Sequence, residues 1–336
     1  MDPAADDRSG PADRVDRAVG AVLGSAVGDA LGAPYEFGPE GRLSAGGEEM
    51  CAGGGWDPGE ATYDTQMAVL VGESLVERDG LELPDVFARF QRWAAGEPKD
   101  IGLQTEDVLT NGEPWDLAAA LHFRVNALAA GNGSLMRAST SAVYFAPAGR
   151  RATMDAARRI AALTHGDPAA GEGTAVLHEL VRTAMDGDDP LAALPATLAL
   201  VRPADRERYD RVLAADWHPG LATEFNGAVW PCLGSAVWAL RTTSGFAQAV
   251  RAAVDLGGDT DTVAAVTGTL AGARYGAAAI PRHWTEPLHV PLPGSGGRVL
   301  RARDLRTLAR RLLAAGSRRT PGAGRSGTSE AGSCPR

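Results

Sequence analysis

Two carboxylates and two hydroxyls stand together directly in front of an apolar segment. The stretch reads Gly257-Gly258-Asp259-Thr260-Asp261-Thr262 and leads into a run rich in Val, Ala and Gly. Side chains two residues apart on a regular helix point about 200° from each other. Both acids can therefore face one target only if the two glycines turn the chain sharply and the helix begins near Asp261. Hard divalent cations take several oxygen ligands, so the stretch favours metal binding, whereas a plain N-cap explains only one of these acids.

Two further segments carry acids at comparable places. In GGGWDPGEATYDTQMAVL, residues 53–70, a Gly-rich stretch precedes Thr62, Asp64 and Thr65, which stand in front of an amphipathic helix; a helix cap again explains part of the pattern. In GSAVGDALGAPYEF, residues 24–37, Pro34 cannot continue a helix. Glu36 is therefore expected just beyond the helix end, where it can point into a cleft. For Asp29, inside that helix, a structural hydrogen bond and a chemical role both remain open.

Two weaker signals concern anion or ligand binding. In GNGSLMR, residues 131–137, small residues in series expose backbone N–H groups that suit phosphate oxygens, although any tight turn before a helix looks similar. His165 in LTHGDP stands before a turn, where a histidine is more often a C-cap or a packing residue. The sequence contains no Walker A, HExxH or GxSxG motif.

Helical periodicity dominates the chain and predicts one all-α domain over residues 13–315. Alternating strand patterns are almost absent, the best being the short segment 141–145. Residues 1–12 and 316–336 are rich in small and polar residues and are expected to be disordered tails. Helices are predicted at 13–32, 64–79, 84–95, 116–130, 152–163, 169–186, 191–200, 226–241, 244–254 and 262–275.

Glycine recurs every fourth residue in two of these predicted helices. The first carries Gly20, Gly24, Gly28 and Gly32, and the last carries Gly268, Gly272 and Gly276. Glycine disfavours a helix by up to about 1 kcal/mol relative to alanine, so a row of glycines indicates either chance in an Ala/Gly-rich chain or a close backbone approach. We favour a tightly packed central helix pair, which brings the acidic end of the first helix to the acidic start of the last.

Bulk composition narrows the class of partners. The 33 basic and 42 acidic residues argue against broad nucleic-acid or membrane binding, and no segment is long and apolar enough to span a bilayer. The three cysteines, Cys51, Cys232 and Cys334, show neither metal-ligand nor disulfide spacing, which fits a reducing cytoplasm. We therefore expect a cytoplasmic protein.

Taken in order, the motifs GSAVGDALGAPYEF, PGEATYDTQMA, PKDIG, GNGSLMR, THGDP and LGGDTDTVAAVTGTLAGARYG resemble the ADP-ribosylglycohydrolase family from about residue 15 to about 285. The first motif looks closest to the bacterial type, typified by dinitrogenase reductase-activating glycohydrolase. The resemblance implies a compact all-α fold with a cleft that holds two Mg²⁺ or Mn²⁺ ions. The implied metal ligands are Thr62, Asp64, Asp259, Asp261 and Thr262.

The resemblance also implies roles for residues around the metals. Glu36 matches the acid near the metals that takes part in catalysis or gating, and Asp64 is a second candidate acid or base. The positions implied to contact the substrate are Asp100, Gly131, Asn132, Gly133, Ser134, Met136 and His165.

Tyr63 departs from the family pattern Thr-Asp-Asp-Thr, because this chain reads Thr62-Tyr63-Asp64-Thr65. A phenol with a pKa of about 10 is a poor ligand for a hard cation at neutral pH. Either one metal site is weakened, or Asp57 or Glu60 takes the place of the missing carboxylate, or turnover is lost. Tyr63 could also stack on the ligand or pack away from the site.

These features predict a metal-dependent hydrolase that removes ADP-ribose from a modified side chain, with ADP-ribosyl-arginine as the favoured substrate. The alternatives are hydrolysis of O-linked ADP-ribose and a catalytically impaired ADP-ribose-binding protein on the same scaffold. A helical protein whose polar clusters are only caps is the third hypothesis. The expected partner is an ADP-ribosylated protein or a small molecule that contains ADP-ribose.

Overall fold

The structure, a computed structural model, describes residues 11–126 and 129–319. Helices account for nearly all of the regular structure in this part of the chain. In chain order they are α1 (Pro11–Gly32), α2 (Tyr63–Glu77), α3 (Leu83–Ala94), α4 (Leu103–Thr110), α5 (Ala118–Val125), α6 (Gly133–Met136), α7 (Ser139–Phe145), α8 (Arg150–Ala161), α9 (Pro168–Met185), α10 (Leu194–Leu198), α11 (Pro203–Val212), α12 (Val229–Thr242), α13 (Phe246–Val254), α14 (Thr260–Tyr275), α15 (Arg282–Thr285) and α16 (Ala302–Arg319).

The predicted all-α class is confirmed. The two named strands, β1 (His289–Pro291) and β2 (Val299–Arg301), form a small antiparallel hairpin with His289 opposite Arg301. In the described residues one large hydrophobic cluster runs from Ala18 to Ala315 and draws on most of the helices. Because this cluster is rich in alanine, valine and leucine, the helices pack closely with few large side chains between them.

α1 and α14 form the central antiparallel pair that the glycine spacing predicts. A Cβ atom placed on Gly20, Gly24 or Gly28 would lie closer than 3.0 Å to a backbone atom of α14, and one on Gly268 or Gly272 would meet α1 in the same way. The two backbones are therefore in direct contact, which only residues without a side chain allow. At the end of this contact the Thr260 hydroxyl donates to the Gly32 carbonyl at 2.9 Å. The start of α14 is thereby fixed to the end of α1.

Several predictions about individual elements were wrong. Residues 141–145, the best strand candidate, belong to α7, where six of seven residues are buried. A helix is recognised in a sequence by the regular spacing of its polar and apolar faces, and a helix buried on almost every side has no polar face to show that spacing. The segments predicted at 116–130 and 191–200 shorten to α5 and α10, and Asn126 is already extended.

The sequence reading missed α4, α6, α11, α15, α16 and both strands. α14 is consequently not the last helix. α1 begins at Pro11 and α16 continues to Arg319, so the inner ends of both predicted tails are helical. The predictions for residues 1–10 and 320–336 lie outside the described residues. Within the described residues, none of the helices has the length and apolar character needed to cross a membrane.

Candidate active site

The start of α14 brings its two aspartates to one point. Gly257 and Gly258 have φ angles of +69° and +71°, which glycine adopts without strain and which turn the chain into the helix. Asp259 is the N-cap and Asp261 lies in the first turn. Oxygens of Asp259, Asp261 and Glu36 all lie within 4.8 Å of one another. The predicted convergence of the two aspartates is confirmed.

Asp29 fixes the second acidic segment from inside α1. Its carboxylate accepts hydrogen bonds from the backbone N–H of Thr62 at 2.9 Å, from the N–H of Thr65 at 3.1 Å and from the Thr65 hydroxyl at 2.5 Å. Asp29 therefore has the structural role that the sequence left open. Thr62 is the N-cap of α2, and its hydroxyl accepts from the Asp64 N–H at 3.2 Å.

Asp64 has no comparable partner. Its side chain is fully buried, and neither carboxylate oxygen takes part in a hydrogen bond with normal geometry among the described residues. One oxygen of Asp259 is likewise unpartnered, whereas the other accepts from the Asn132 side-chain amide at 2.8 Å. A buried carboxylate without a partner is strongly unfavourable. A divalent cation bound to these oxygens removes that penalty, so the residues present fit a metal site.

The electrostatics of the site favour a bound cation. Burial, followed by the neighbouring carboxylates Asp29 and Asp259, raises the pKa of Asp64 well above its usual range. Burial and the charges of Asp64 and Asp259 act in the same direction on the pKa of Asp261. Burial, Asp259 and Asp100 raise the pKa of Glu36 to about 8. This accumulation of carboxylates without a cation is typical of an oxygen-ligand metal centre.

A cleft of about 530 Å³ opens onto this cluster. Its lining includes Glu36, Phe37, Lys99 and Asp100 and the turn that carries Trp56. Glu36 directly follows the 3₁₀ turn Ala33–Tyr35, so Pro34 ends α1 as predicted. Asp100 is half-buried, and burial raises the pKa of its carboxyl group. Two carboxyl groups and one ammonium group thus line the cleft.

Tyr63 lies close to the clustered carboxylates of Asp64, Asp259 and Asp261, and its ring packs against a neighbouring aromatic side chain. Its ring stacks on Trp93 with a centroid distance of 6.2 Å and an interplanar angle of 24°. Burial and the charge of Asp64 raise the pKa of its phenol well above the ordinary value. The phenol is thus neutral and directed toward Gly102, where an added Cβ would lie 2.9 Å from the hydroxyl. This packing accounts for Tyr63 without a role as a ligand.

Glu60 and Asp57 do not replace the missing carboxylate. Glu60 accepts a hydrogen bond from the Lys99 ammonium at 2.6 Å and another from the Asp57 N–H at 3.0 Å. Asp57, Glu60 and His289 bring side-chain atoms within 4.8 Å of one another. Because the Lys99 ammonium pairs with Glu60, the group formed by Asp57, Glu60 and His289 contains a cation partner for its buried carboxylate, whereas Asp64 has none in the described residues.

The loop Gly131–Ser134 contacts the acidic cluster through Asn132, whose amide donates to Asp259. The side chains of Ser134 and Met136, which were predicted to contact the substrate, instead face the protein interior. The Ser134 hydroxyl donates to the Ala170 carbonyl at 3.3 Å, and Met136 is 1% exposed. Both positions are covered by neighbouring helices, so any substrate contact there is made by the backbone.

His165 lies beside the same loop and is 3% exposed. An added Cβ on Gly133 would lie 2.9 Å from the His165 ring, and one on Gly131 would lie 3.3 Å from its Nε2. The two glycines therefore allow the imidazole to lie against the loop backbone.

Sequence reasoning missed three features of the site. Asn132 was assigned to the substrate rather than to Asp259, which is 127 residues away. The sequence indicates no role for Arg137, which is fully buried beside Thr164. Phe37 and Phe225 stack at the cleft mouth with centroids 6.3 Å apart, and only the position of Phe37 after Glu36 could have indicated this.

Comparisons with known proteins identify the family and agree with this fold. A family model described as ADP-ribosylglycohydrolase matches residues 10–322. The chain is 30% identical over 293 residues to the ADP-ribosylarginine hydrolase Tri1 of Pseudomonas putida (strain GB-1), covering 82% of this chain and 75% of that protein. It is 29% identical over 279 residues to the ADP-ribosyl-[dinitrogen reductase] glycohydrolase of Rhodospirillum rubrum, covering 81% and 90%. A solved structure described as an ADP-ribosylglycohydrolase-related protein complex superimposes with a TM-score of 0.73 and 34% identity, covering 91% of this chain and 99% of that one.

The chain belongs to the ADP-ribosylglycohydrolase family, whose members are hydrolytic enzymes. The family resemblance inferred from the six motifs is thereby confirmed.

Proposed function

We propose that this protein is a divalent-metal-dependent hydrolase that releases ADP-ribose from ADP-ribosylated arginine side chains. The observation that carries the metal dependence is the fully buried Asp64 carboxylate, which lies among the carboxylates of Asp29, Asp259 and Glu36 and forms no ion pair with a described residue. Two of the relatives, which are named for ADP-ribosylarginine and for ADP-ribosylated dinitrogen reductase, support the substrate class.

Thr62, Asp64, Asp259, Asp261 and Thr262 are the proposed metal ligands, and Mg²⁺ or Mn²⁺ suits this all-oxygen set. When bound, such ions supply electrostatic stabilisation and orient the ribose hydroxyls and the attacking water. Because Asp64 is fully enclosed, we assign it to metal binding rather than to proton transfer.

Glu36 is the group best placed to move a proton, because it lines the open cleft and lies within 4.8 Å of two ligand carboxylates. In the reaction a bond forms between the water oxygen and C1″ of the ribose, and the bond from C1″ to the guanidine nitrogen breaks. The bonding electron pair leaves with that nitrogen, which takes up a proton, while the water loses one. The ribose passes through oxocarbenium character, as in other glycoside hydrolyses.

Proton donation from Glu36 favours an arginine linkage. A guanidine leaves readily only when it is protonated, since the pKa of its conjugate acid is above about 12. Glu36 lines the cleft together with Lys99 and Asp100, and a pKa of about 8 lets its carboxyl group hold a proton at neutral pH and give it to the leaving nitrogen.

Tyr63 motivates one alternative function, that of an ADP-ribose-binding protein with impaired turnover. The tyrosine stands where the family pattern has an aspartate, so one ligand carboxylate is absent. The stacking of Tyr63 on Trp93 supports a packing role, and three aspartates remain around the proposed metal site. We therefore favour the active hydrolase.

Single-turnover release of ADP-ribose from arginine-modified and serine-modified protein substrates tests this proposal. We expect the wild-type protein to release ADP-ribose from the arginine linkage. Glu36→Gln should lower that rate by roughly 10²- to 10⁴-fold, the usual contribution of a proton-transfer group. Glu40→Gln is the matched control, because Glu40 is an exposed neighbour outside the acidic cluster. Binding of ADP-ribose without release in the wild type would instead support the impaired binding protein.

We further propose a cytoplasmic location and ADP-ribosylated proteins as partners. Cys51 and Cys232 carry free thiols, which fits a reducing compartment. The prediction for Cys334 lies outside the described residues.

A further inference from the structure

A buried cation, a hydroxyl and an imidazole form a continuous chain beside the Gly131–Gly133 loop. Arg137 donates from Nη1 to the Thr164 hydroxyl oxygen at 2.7 Å. The same hydroxyl oxygen lies 2.8 Å from Nδ1 of His165. Arg137 and Thr164 are 0% exposed, and His165 is 3% exposed.

The direction of each hydrogen bond follows from the chemistry of the groups. A guanidinium only donates, so the Thr164 oxygen accepts from Arg137. The Thr164 hydroxyl has one proton, and His165 Nδ1 is its one hydrogen-bond acceptor among the described residues. Nδ1 therefore accepts, and a neutral imidazole that accepts at Nδ1 carries its proton on Nε2.

Arg137 is held in place without a carboxylate partner in the described part of the chain. Its Nη2 donates to the Ile160 and Ala161 carbonyls at 3.1 and 3.5 Å, at the C-terminal end of α8. Helix C-termini favour cations, and the guanidinium also lies 5.0 Å from the centre of the Phe90 ring. Burial lowers the pKa of Arg137 to about 9, which leaves the group protonated at neutral pH.

Burial keeps His165 neutral. It is the main cause that lowers the pKa of His165 well below 6.5, and Arg137 and His122 act in the same direction. Nε2 lies against the backbone of Gly131 and Gly133, and the side-chain hydrogen bond that His165 forms with a described residue is made by Nδ1. A proton on Nε2 is therefore available to a ligand bound against this loop.

We propose that Arg137 and Thr164 are positioning residues that fix His165 as the neutral Nε2–H tautomer, so that it donates a hydrogen bond to an oxygen of ADP-ribose bound against the Gly131–Gly133 loop. The tautomer is a property of the protein alone. Its use as a donor to ADP-ribose rests on the proposed function.

The tautomer is measured directly by ¹⁵N NMR of histidine-labelled full-length protein without ligand. His165→Gln identifies the His165 signals among the six histidines. We expect a neutral imidazole with the proton on Nε2 between about pH 5 and 8. A proton on Nδ1, or a protonated ring within this pH range, would overturn the proposal.

Thr164→Val removes the hydroxyl and keeps the side-chain shape, and Thr164→Ser keeps the hydroxyl. We expect the valine variant to lose the fixed tautomer and to weaken ADP-ribose binding, measured by calorimetry, roughly 3- to 10-fold, the equivalent of one hydrogen bond. The serine variant should restore both. An unchanged tautomer and an unchanged Kd in the valine variant would contradict the positioning role of Thr164 and Arg137.

Thr153→Val is the matched control for burial. Thr153 is also 0% exposed, and its hydroxyl lies 3.5 Å from Nδ1 of another buried histidine, His178. This variant should leave the His165 signals and the Kd for ADP-ribose unchanged, since neither residue touches the candidate site. If the wild type shows the Nε2–H tautomer but does not bind ADP-ribose, the proposed function fails while the assignment of the tautomer stands.

Discussion

Replacing Asp64 by asparagine should make the metal-free protein more stable and should abolish its stabilisation by metal. Without metal, the folded state encloses a carboxyl group that lies among Asp29, Asp259 and Asp261 and forms no ion pair with a described residue. Asparagine has nearly the same size and carries no charge. An unsatisfied buried group destabilises by about 1–3 kcal/mol, and more if charged.

The expected shifts in melting temperature follow from the length of the chain. The unfolding entropy is about 0.7 kcal/mol/K for 336 residues, so each kcal/mol changes Tm by about 1.4 °C. Asp64→Asn should therefore raise Tm in EDTA by about 1.5–4 °C. Wild-type protein should gain about 4 °C when Mg²⁺ is raised to 100 times its Kd, since that concentration stabilises by about 2.7 kcal/mol. The variant should lose most of this gain.

Scanning calorimetry of both proteins, with EDTA and with Mg²⁺, provides the measurement. Asp85→Asn is the matched control, because Asp85 accepts hydrogen bonds at 2.7 Å from each of Ser74, Arg78 and Arg89. Loss of those charged partners should lower Tm equally in both solutions. If Asp64→Asn lowered Tm in EDTA and kept the wild-type response to Mg²⁺, the reasoning about the buried acids would be refuted.

Three further predictions concern the helix contact, the pH response and the departure from the family pattern. Gly28→Ala should lower the free energy of unfolding by about 3 kcal/mol or more in urea titrations, because the new Cβ overlaps the facing backbone. Gly245→Ala, with open space around it, should change it by less than about 1 kcal/mol, and equal effects would exclude the close contact. In EDTA the protein should lose stability as pH rises from about 5 to 8.5. The folded-state pKa values of Asp29 (about 6) and Glu36 (about 8) lie above the values in the unfolded chain, so the folded state keeps these protons to higher pH. A gain in stability over this pH range would contradict these assignments. Tyr63→Phe should leave the rate of ADP-ribose release within about twofold, because a neutral phenol is a poor metal ligand; a large loss would show that the hydroxyl takes part.

Most of the correct predictions about this site come from the glycine spacing and from the acidic motifs. Gly20, Gly24 and Gly28 lie one turn apart, so a local pattern already implied the close helix pair. Gly257 and Gly258 similarly indicated the turn that lets Asp259 and its neighbour converge. These features are readable because each depends on residues near one another in the chain.

The interactions that complete the site depend on distant residues. The hydrogen bond from Asn132 to Asp259 and the hydrogen-bonded chain from Arg137 through Thr164 to His165 arise from tertiary packing. Such packing leaves no periodic signal in the sequence. Packing also explains why no helix is predicted over 141–145, where burial on nearly all sides hides the helical period. Tyr63 is the opposite case: the departure was visible, but only its stack on Trp93 indicates what the side chain does.

Release of ADP-ribose from an arginine-ADP-ribosylated protein tests the central claim most directly. The wild-type protein should be assayed with Mg²⁺, with Mn²⁺, with EDTA, and with Mg²⁺ restored in excess over EDTA. The account predicts release with either metal, loss of release in EDTA and recovery on restoring Mg²⁺. Release that persists in EDTA, or no release under any of these conditions from a protein that binds ADP-ribose, would contradict it.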